Sequence, residues 1–118
     1  MSQNIALFDE RFAVAGGVGA LYKTEGFKVT WVHSFPDWNK FGKISSQTDT
    51  AIIHLGFALQ NPRKTVDLSD VIKRLPTNCR RIFTSGYSLH DYSKQCLQFG
   101  GDFYAQRLTS REFLDVLN

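Results

Sequence analysis

The chain has 118 residues, of which 42% are hydrophobic and 14% aromatic, and this is enough apolar material for one compact domain with a single core. The formal charge is +3 and the basic residues are scattered in pairs, so nothing in the charge pattern demands a nucleic-acid partner for this domain alone. The two cysteines lack CxxC spacing, and no apolar run suits a signal peptide or a membrane span. We therefore expect a single soluble, cytoplasmic domain over residues 1–118 with no membrane contact.

Five short apolar runs have the length of β-strands. The intervals between them, about 15 to 25 residues, are too long for hairpins and suit crossover helices, which implies parallel pairing. The sequence therefore predicts β-α repeated five times, which is a three-layer α/β sandwich. The predicted strands are 4–8, 28–33, 50–56, 81–86 and 102–106.

Capping signals lie between these runs. Ser88 and Thr109 each precede an acid by three residues, as in a capping box, and the last helix is expected from Ser110 onward. Gly26 and Gly100 stand where a helix would need a left-handed stop. These signals are consistent with helices between the predicted strands.

The segment GGVGALYKT, residues 16–24, superficially matches two phosphate-binding motifs. It fits neither, because Tyr22 stands where the third glycine of GxGxxG belongs and no glycine precedes Lys23 as in a P-loop. We interpret the segment as a first helix diluted with small residues, in which each interior glycine costs roughly 1 kcal/mol relative to alanine. Such a helix should be weak unless close packing against the sheet or a second subunit compensates.

Polar side chains follow the predicted strands at the edge of the sheet where ligands collect. In an open parallel sheet, ligands bind outside the carboxyl ends of the strands, next to the point where the strand order reverses. The residues at those ends are Asp9 and Glu10 after the first strand, His54 at the end of the third, Ser85 at the end of the fourth and Arg107 past the fifth.

At these positions the chain resembles the receiver domain of two-component response regulators, the CheY-like family, over nearly its whole length. IALFDE resembles the first strand with its acidic pair, RIFTSGYS the fourth strand with its switch hydroxyl at Ser85, and GGDFYAQRL the fifth strand with its switch aromatic at Tyr104. The resemblance implies a flavodoxin-like (βα)5 fold around a five-stranded parallel sheet. It also implies the family's chemistry, in which an aspartate at the end of the third strand accepts a phosphoryl group with the help of magnesium held by that aspartate and the acidic pair.

The phosphoacceptor position of this chain carries His54, and an imidazole has no carboxylate to become an acyl phosphate. It also removes a hard oxygen from a magnesium site. Arg107 takes the family's lysine position, while Ala58 and Leu108 replace two usual prolines. The chain therefore resembles an atypical pseudo-receiver, for which we expect no cofactor, no bound metal and no enzymatic activity. Its degenerate phosphoacceptor pocket comprises Asp9, Glu10, His54, Ser85 and Arg107.

Four interpretations of His54 stay open. In the first, the imidazole is a structural plug that lies against Asp9 and Glu10 and neutralises them, with Arg107 helping to close the pocket. In the second, the two acids and the imidazole hold a transition metal. In the third, His54 itself carries a phosphoryl group. In the fourth, it is a buried histidine of no functional meaning.

Two further features follow from the resemblance. Tyr104 occupies the switch position, where we expect a single rotamer because the trigger is missing, although a plain half-buried tyrosine fits equally well. The face that receivers use for partners and dimers would carry four residues, although Leu89 and Tyr92 fit a core equally well. These partner-face residues are Tyr87, Leu89, His90 and Tyr92.

The function predicted on this basis is a phosphorylation-independent adaptor in a two-component-type pathway, docking a kinase, a regulator or itself as a homodimer. One alternative is the receiver part of a DNA-associated regulator whose output domain is absent or supplied by a partner. A third is a metal-dependent or residual phosphoryl-transfer enzyme.

Overall fold

The computed structural model describes residues 3–9, 11–32, 47–54, 72–73, 75–84, 100–104 and 108–118. Five strands and two helices are defined within these ranges, in the chain order β1, α1, β2, β3, β4, β5 and α2. The strands are β1 Asn4–Phe8, β2 Lys28–Val32, β3 Thr50–His54, β4 Arg80–Thr84 and β5 Asp102–Tyr104, and the helices are α1 Phe12–Thr24 and α2 Arg111–Leu117.

The described strands form one parallel sheet in the order β2-β1-β3-β4-β5. β1 and β3 lie inside the sheet and are buried along almost their whole length, whereas the edge strand β2 is buried only at Val32. Central strands of a parallel sheet are covered on both faces, which explains why β1 and β3 contain the continuous apolar runs IALF and AII.

The hydrophobic core of the described residues lies between the sheet and both helices. One set of alternating strand residues, including Ile5, Leu7, Ile52 and Ile82, packs in a cluster with residues of α1 and α2. The strand residues that alternate with this set are buried as well, so both faces of the sheet are covered. The buried residues of this second set are Ala6, Phe8, Ala51, Ile53 and Phe83.

Helix α1 ends at a glycine stop. Gly26 has a φ of 95°, its N–H donates to the carbonyl of Lys23, and the N–H of Phe27 donates to the carbonyl of Tyr22. These two hydrogen bonds form the Schellman motif. The Tyr22 and Phe27 rings complete it with an edge contact, in which their centroids are 6.1 Å apart. The prediction of a left-handed stop at Gly26 is confirmed. Gly100 also has a positive φ, of 70°.

The glycines inside α1 do not serve close packing against the sheet. The helix buries Ala15, Val18 and Tyr22, and a Cβ added at any of the glycines between these positions would meet no atom of the described residues within 4 Å. Among the described residues, the first of the two compensations considered, close approach to the sheet, is not seen: Gly16 and Gly17 are exposed, and Gly19 is half-buried at the flank of the buried face. Packing against a second subunit stays untested. The three glycines are Gly16, Gly17 and Gly19.

Helix α2 begins one residue later than its predicted capping box. Ser110 is the N-cap, with extended backbone, and its Oγ accepts a hydrogen bond from the Phe113 N–H at 3.1 Å. The capping box predicted from Thr109 is therefore wrong by one position, since two consecutive hydroxyl residues compete for the cap and the backbone conformation selects Ser110. Glu112 still lies in the first turn.

The predicted strands agree with the observed ones except at their ends. β1 matches the prediction at both ends, and β4 begins one residue earlier than predicted, at Arg80. The three helices predicted between β2 and β5, with the capping box at Ser88, lie outside the described residues except for residues 72–73, which are helical. The complete (βα)5 repeat and the single domain over residues 1–118 accordingly stay predictions. In the described part of the chain, neither helix has the length and apolar character needed to cross a bilayer.

Candidate functional site at the carboxyl edge of the sheet

The strand order reverses between β1 and β3. From β1 the chain passes to β2 on one side of the sheet, and the remaining strands add on the other side, beginning with β3. Parallel pairing brings the carboxyl ends of β1 and β3 side by side, with Phe8 and Ile53 in register. Asp9 and His54, the next residues along these strands, therefore meet at the crevice where ligands collect in sheets of this kind.

Asp9 is a fully buried carboxylate with a cationic partner. Its side chain is 0% exposed, its Oδ1 accepts from Arg11 Nε at 2.9 Å and its Oδ2 accepts from Arg11 Nη2 at 2.7 Å. The guanidinium thus grips both oxygens in the bidentate geometry that suits a planar fork. A buried charge requires such a partner, because an uncompensated carboxylate would be strongly destabilising.

The turn after β1 positions this pair. The backbone N–H of Arg11 also donates to Asp9 Oδ1 at 2.9 Å, which is the Asx-turn pattern of a side chain bonding the backbone two residues on. The N–H of Asp9 itself donates to the Val32 carbonyl at 3.2 Å, so β2 holds the start of the turn. Arg11 is then the N-cap residue of α1, and its carbonyl accepts from the Ala15 N–H.

His54 lies next to the Asp9 carboxylate. It is 6% exposed, and its Nδ1 is 3.9 Å from Asp9 Oδ1. This distance is too long for a direct hydrogen bond, so the two side chains interact electrostatically when the imidazole is protonated. Within the described residues, this edge therefore brings together a buried acid, an arginine and a histidine.

Trp31 ties the second strand to the same turn. Its indole Nε1 donates to the main-chain carbonyl of Asp9 at 2.8 Å. Trp31 itself lies in β2 and packs against the core. The indole N–H thus bonds the main chain of the residue whose carboxylate pairs with Arg11, which makes it a spectroscopic reporter of this pair.

Thr84 is a residue of this edge that sequence reasoning missed. It ends β4 in register with His54, it is 4% exposed, and among the described residues its Oγ1 has no hydrogen-bond partner. A buried hydroxyl without a partner costs about 1 to 3 kcal/mol. The sequence could have indicated Thr84, because it is in register with His54 and residues in register on neighbouring parallel strands reach the same edge of the sheet.

Arg11 was also missed, and the sequence carries a weaker signal for it. The prediction assigned the closing arginine to Arg107, which lies outside the described residues. Arg11 follows Asp9 by two positions, the separation at which an aspartate bonds the backbone, and this pattern would have indicated the turn but not the fork. Its assignment requires the geometry of the side chain.

The described residues do not fit a divalent ion such as the magnesium that the receiver resemblance implies. Both Asp9 oxygens accept from Arg11, and the next donor is an imidazole nitrogen, whereas Mg²⁺ demands several oxygen ligands in octahedral geometry. Within the described ranges, no group of three or more His, Cys, Asp or Glu side chains is placed to hold a metal.

Most other predicted site residues lie outside the described part of the chain. Tyr104 is the last residue of β5, in register with Thr84, so its backbone reaches the same edge of the sheet. The remaining pocket residues and the whole predicted partner face are not described, and their roles stay predictions. These residues are Glu10, Ser85, Tyr87, Leu89, His90, Tyr92 and Arg107.

Comparison with solved structures identifies the class of fold. A CheY-like response regulator receiver domain from Methanospirillum hungatei superposes with a TM-score of 0.77 at 16% identity, covering 99% of this chain and 91% of that one. A receiver domain from Clostridium thermocellum gives 0.75 at 13% identity, covering 97% and 89%. The chain therefore has a receiver-like, flavodoxin-like α/β fold with a parallel sheet.

A third neighbour is a response regulator from Burkholderia pseudomallei with a phosphorylated aspartic acid, a calcium ion and citrate. Its TM-score is 0.68 at 15% identity, and the match covers 98% of this chain and 71% of that one. No protein-family model matches the chain, and no curated protein matches it by sequence. At these identities the likeness concerns the fold.

Proposed function

We propose that this chain is a pseudo-receiver: a receiver fold that works as a phosphorylation-independent protein-interaction module in a two-component-type signalling pathway. Its partner would be a kinase, a regulator or a second copy of the chain, and its setting the cytoplasm. In this proposal the domain has no catalytic activity, and it acts through the shape of its surface.

The observation that carries the proposal is the buried imidazole of His54 at the carboxyl end of β3, 3.9 Å from the carboxylate of Asp9. In receivers, that position supplies the aspartate that is phosphorylated. An imidazole provides no carboxylate for an acyl phosphate, and the neighbouring acid is already paired with Arg11. The edge therefore lacks both the acceptor and a free metal-binding carboxylate on Asp9.

A charge argument supports a single conformation. Ordinary receivers alternate between two states because phosphorylation adds negative charge at this edge, and the switch hydroxyl and aromatic respond to it. In this chain the negative charge of Asp9 is balanced by the guanidinium of Arg11. Ser85, Tyr104 and Arg107 would then be remnants of the switch that stay in one arrangement, with Glu10 as the second acid of the pocket.

The partner surface proposed for this module is the face after β4, formed by Tyr87, Leu89, His90 and Tyr92. Clustered aromatic residues of this kind are enriched at protein interfaces. The proposal takes this face from the receiver resemblance, so its test has to be functional.

Direct labelling tests the first half of the proposal. The purified chain is incubated with acetyl phosphate and Mg²⁺, and its intact mass is measured, with His54→Ala as the matched variant. We expect neither protein to gain a phosphoryl group. A label on the wild type that disappears in His54→Ala would instead support a phosphoryl-transfer enzyme with a phosphohistidine.

Partner capture tests the second half. The tagged chain, a Leu89→Ala variant and a Val14→Ala variant on the exposed side of α1 are used as bait in the native cell extract, with and without acetyl phosphate. We expect one partner that is lost with Leu89→Ala, retained with Val14→Ala and indifferent to the phosphodonor. A partner that binds only after phosphodonor treatment would contradict the adaptor role.

The alternative of a DNA-associated regulator rests on the basic pairs of the chain, such as Arg80 and Arg81. Contacts to phosphates release counterions, so binding by this route falls steeply with salt. Titration of labelled duplex DNA at low and high salt separates the two functions. Tight binding that is lost at high salt would favour the DNA-associated regulator over the adaptor.

A further inference from the structure

Arg11 occupies a position that α1 alone would disfavour. It is the N-cap residue, where Ser, Thr, Asp or Asn normally provides an oxygen for the free N–H groups, and no side-chain hydrogen bond caps this helix. A cation at a helix N-terminus also opposes the helix dipole, and the first turn of α1 contains no acid. Its place must therefore be stabilised by something other than the helix.

The Asp9 carboxylate provides that stabilisation. It accepts from the backbone N–H, Nε and Nη2 of Arg11 within 2.9 Å, so a single residue supplies three donors to one buried carboxylate. The arginine side chain is 38% exposed while the carboxylate is 0% exposed, so the guanidinium lies between the acid and solvent.

We propose that Arg11 is the resident cation of this edge: it takes the place on the Asp9 carboxylate that a divalent ion would need, and it makes the fold independent of metal. The described ligand atoms do not fit a magnesium ion, and in this proposal the side chain of Arg11 is the reason. The inference does not depend on the proposed partner or pathway, because it concerns only the ion that balances Asp9.

The geometry also predicts what the edge would accept without Arg11. Among the described residues, the nearest remaining ligand atoms are Asp9 Oδ1 and His54 Nδ1, which lie 3.9 Å apart. A carboxylate with an imidazole suits first-row transition metals better than Mg²⁺, which prefers oxygen ligands alone. Loss of the guanidinium should therefore open a weak site for Mn²⁺ and leave Mg²⁺ without effect.

The experiment compares the wild type with Arg11→Ala and with a matched control, Arg111→Ala. Arg111 is an arginine on α2 whose side chain is 61% exposed and pairs with Asp115. Melting temperatures are measured with and without millimolar Mn²⁺. The NMR signal of the Trp31 indole is followed in parallel, with the second tryptophan of the chain replaced by Trp38→Phe so that the signal is assigned without ambiguity. We expect the wild type and Arg111→Ala to melt at nearly the same temperature with or without Mn²⁺, without broadening of the Trp31 signal.

Arg11→Ala should melt at a clearly lower temperature, regain part of the loss with Mn²⁺ but not with Mg²⁺, and show a broadened Trp31 signal with Mn²⁺. The double variant Arg11→Ala with Asp9→Asn should not respond to Mn²⁺. If Arg11→Ala fails to fold, Arg11→Lys keeps the charge but loses the fork, and it should give the same responses at smaller size.

Arg11→Ser separates ion balance from helix capping. It installs a good capping hydroxyl, so a purely structural N-cap role predicts a higher melting temperature. The resident-cation role predicts a lower one, because the buried carboxylate loses its partner.

Two results would overturn the inference. One is a wild type that Mn²⁺ stabilises as much as it stabilises Arg11→Ala, which would mean that the guanidinium excludes no ion. The other is an Arg11→Ala protein that melts at the same temperature as the wild type and whose melting temperature and Trp31 signal do not respond to Mn²⁺. Either result leaves the labelling test untouched, so a failure here and a failure of the proposed function are read separately.

Discussion

The carboxyl edge of the sheet and the outer side of α1 are built on opposite principles. At the edge, Asp9 is buried, receives three donors from Arg11 and lies beside His54. On the outer side of α1, Gly16 and Gly17 are exposed, and an added Cβ would meet no atom of the described residues within 4 Å. The first region is fixed by specific partners, whereas the second contacts none of the residues that the structure describes.

This difference predicts the sign of substitutions. Where a residue is held by partners, a change leaves a buried group unsatisfied and destabilises the fold. Where the space is open and only backbone propensity matters, a better helix former stabilises it. The glycines of the chain allow the comparison to be made with one residue type.

The largest effect is expected in α1. Replacing Gly16, Gly17 and Gly19 together by alanine should raise the free energy of unfolding by about 2 to 3 kcal/mol, at roughly 1 kcal/mol for each glycine. Urea unfolding followed by circular dichroism measures the change. A decrease would mean that this side of the helix is covered by something, and a parallel loss of self-association would identify a second copy as the cover.

Gly101 is expected to behave in the opposite way. A Cβ built there would lie 2.1 Å from Cε2 of the buried Phe83 ring, a distance that no relaxation of a rigid ring can absorb cheaply. Gly101→Ala should therefore lower the free energy of unfolding by about 2 kcal/mol, as overpacked cores do. The same urea experiment tests it, and an unchanged midpoint would show that β5 can move away from Phe83.

The cap of α2 gives a smaller effect. Ser110→Ala removes the acceptor for the Phe113 N–H and should cost about 1 kcal/mol. Thr109→Ala serves as the matched control, because this neighbouring hydroxyl residue is not the cap, and it should cost less. Equal losses in the free energy of unfolding of the two variants would support the capping box predicted from Thr109.

The last comparison is between Asp9, whose buried carboxylate is paired with Arg11, and the buried thiol of Cys79. Burial raises the pKa of the Cys79 thiol from its ordinary value of 9.0 to about 11, although nearby Arg81 lowers it somewhat. An unfolded chain releases this proton near pH 9 while the folded chain keeps it. The thiol's contribution to stability is therefore complete below pH 9 and is lost as the pH rises to about 11.

Unfolding midpoints of the wild type and Cys79→Ala between pH 7 and 11 measure this contribution. The midpoint of the wild type should decline more steeply above pH 9 than that of the variant. Parallel declines would mean that the thiol titrates alike in both states.

The strand positions were predictable because parallel central strands are buried on both faces and read as continuous apolar runs. The meeting of Asp9 and His54 was predictable too, since the carboxyl ends of neighbouring parallel strands share one edge. Arg11 was not, because its role arises from a tight turn that aims a side chain back at the residue two positions before it. Apolar periodicity does not report such local geometry.

The orientation of the α1 glycines could also have been taken further from the sequence. The buried positions Ala15, Val18 and Tyr22 recur at helical spacing, and Gly16 and Gly17 lie on the opposite side of the helix, where both are exposed. Gly19, four residues after Ala15, flanks the buried face and is half-buried. The phase around the helix therefore indicates that Gly16 and Gly17 face away from the sheet, which a count of small residues does not.

The most direct test of the account is the response of the Trp31 indole signal to Mg²⁺ and beryllium fluoride, a phosphoryl mimic. The indole N–H donates to the Asp9 carbonyl, so it senses any ion or mimic seated at this edge. If Arg11 balances the charge of Asp9, the Trp31 signal should not shift at any concentration of Mg²⁺ and beryllium fluoride. A saturable shift that disappears in His54→Ala would show that the edge still accepts a phosphoryl group, and it would contradict the account.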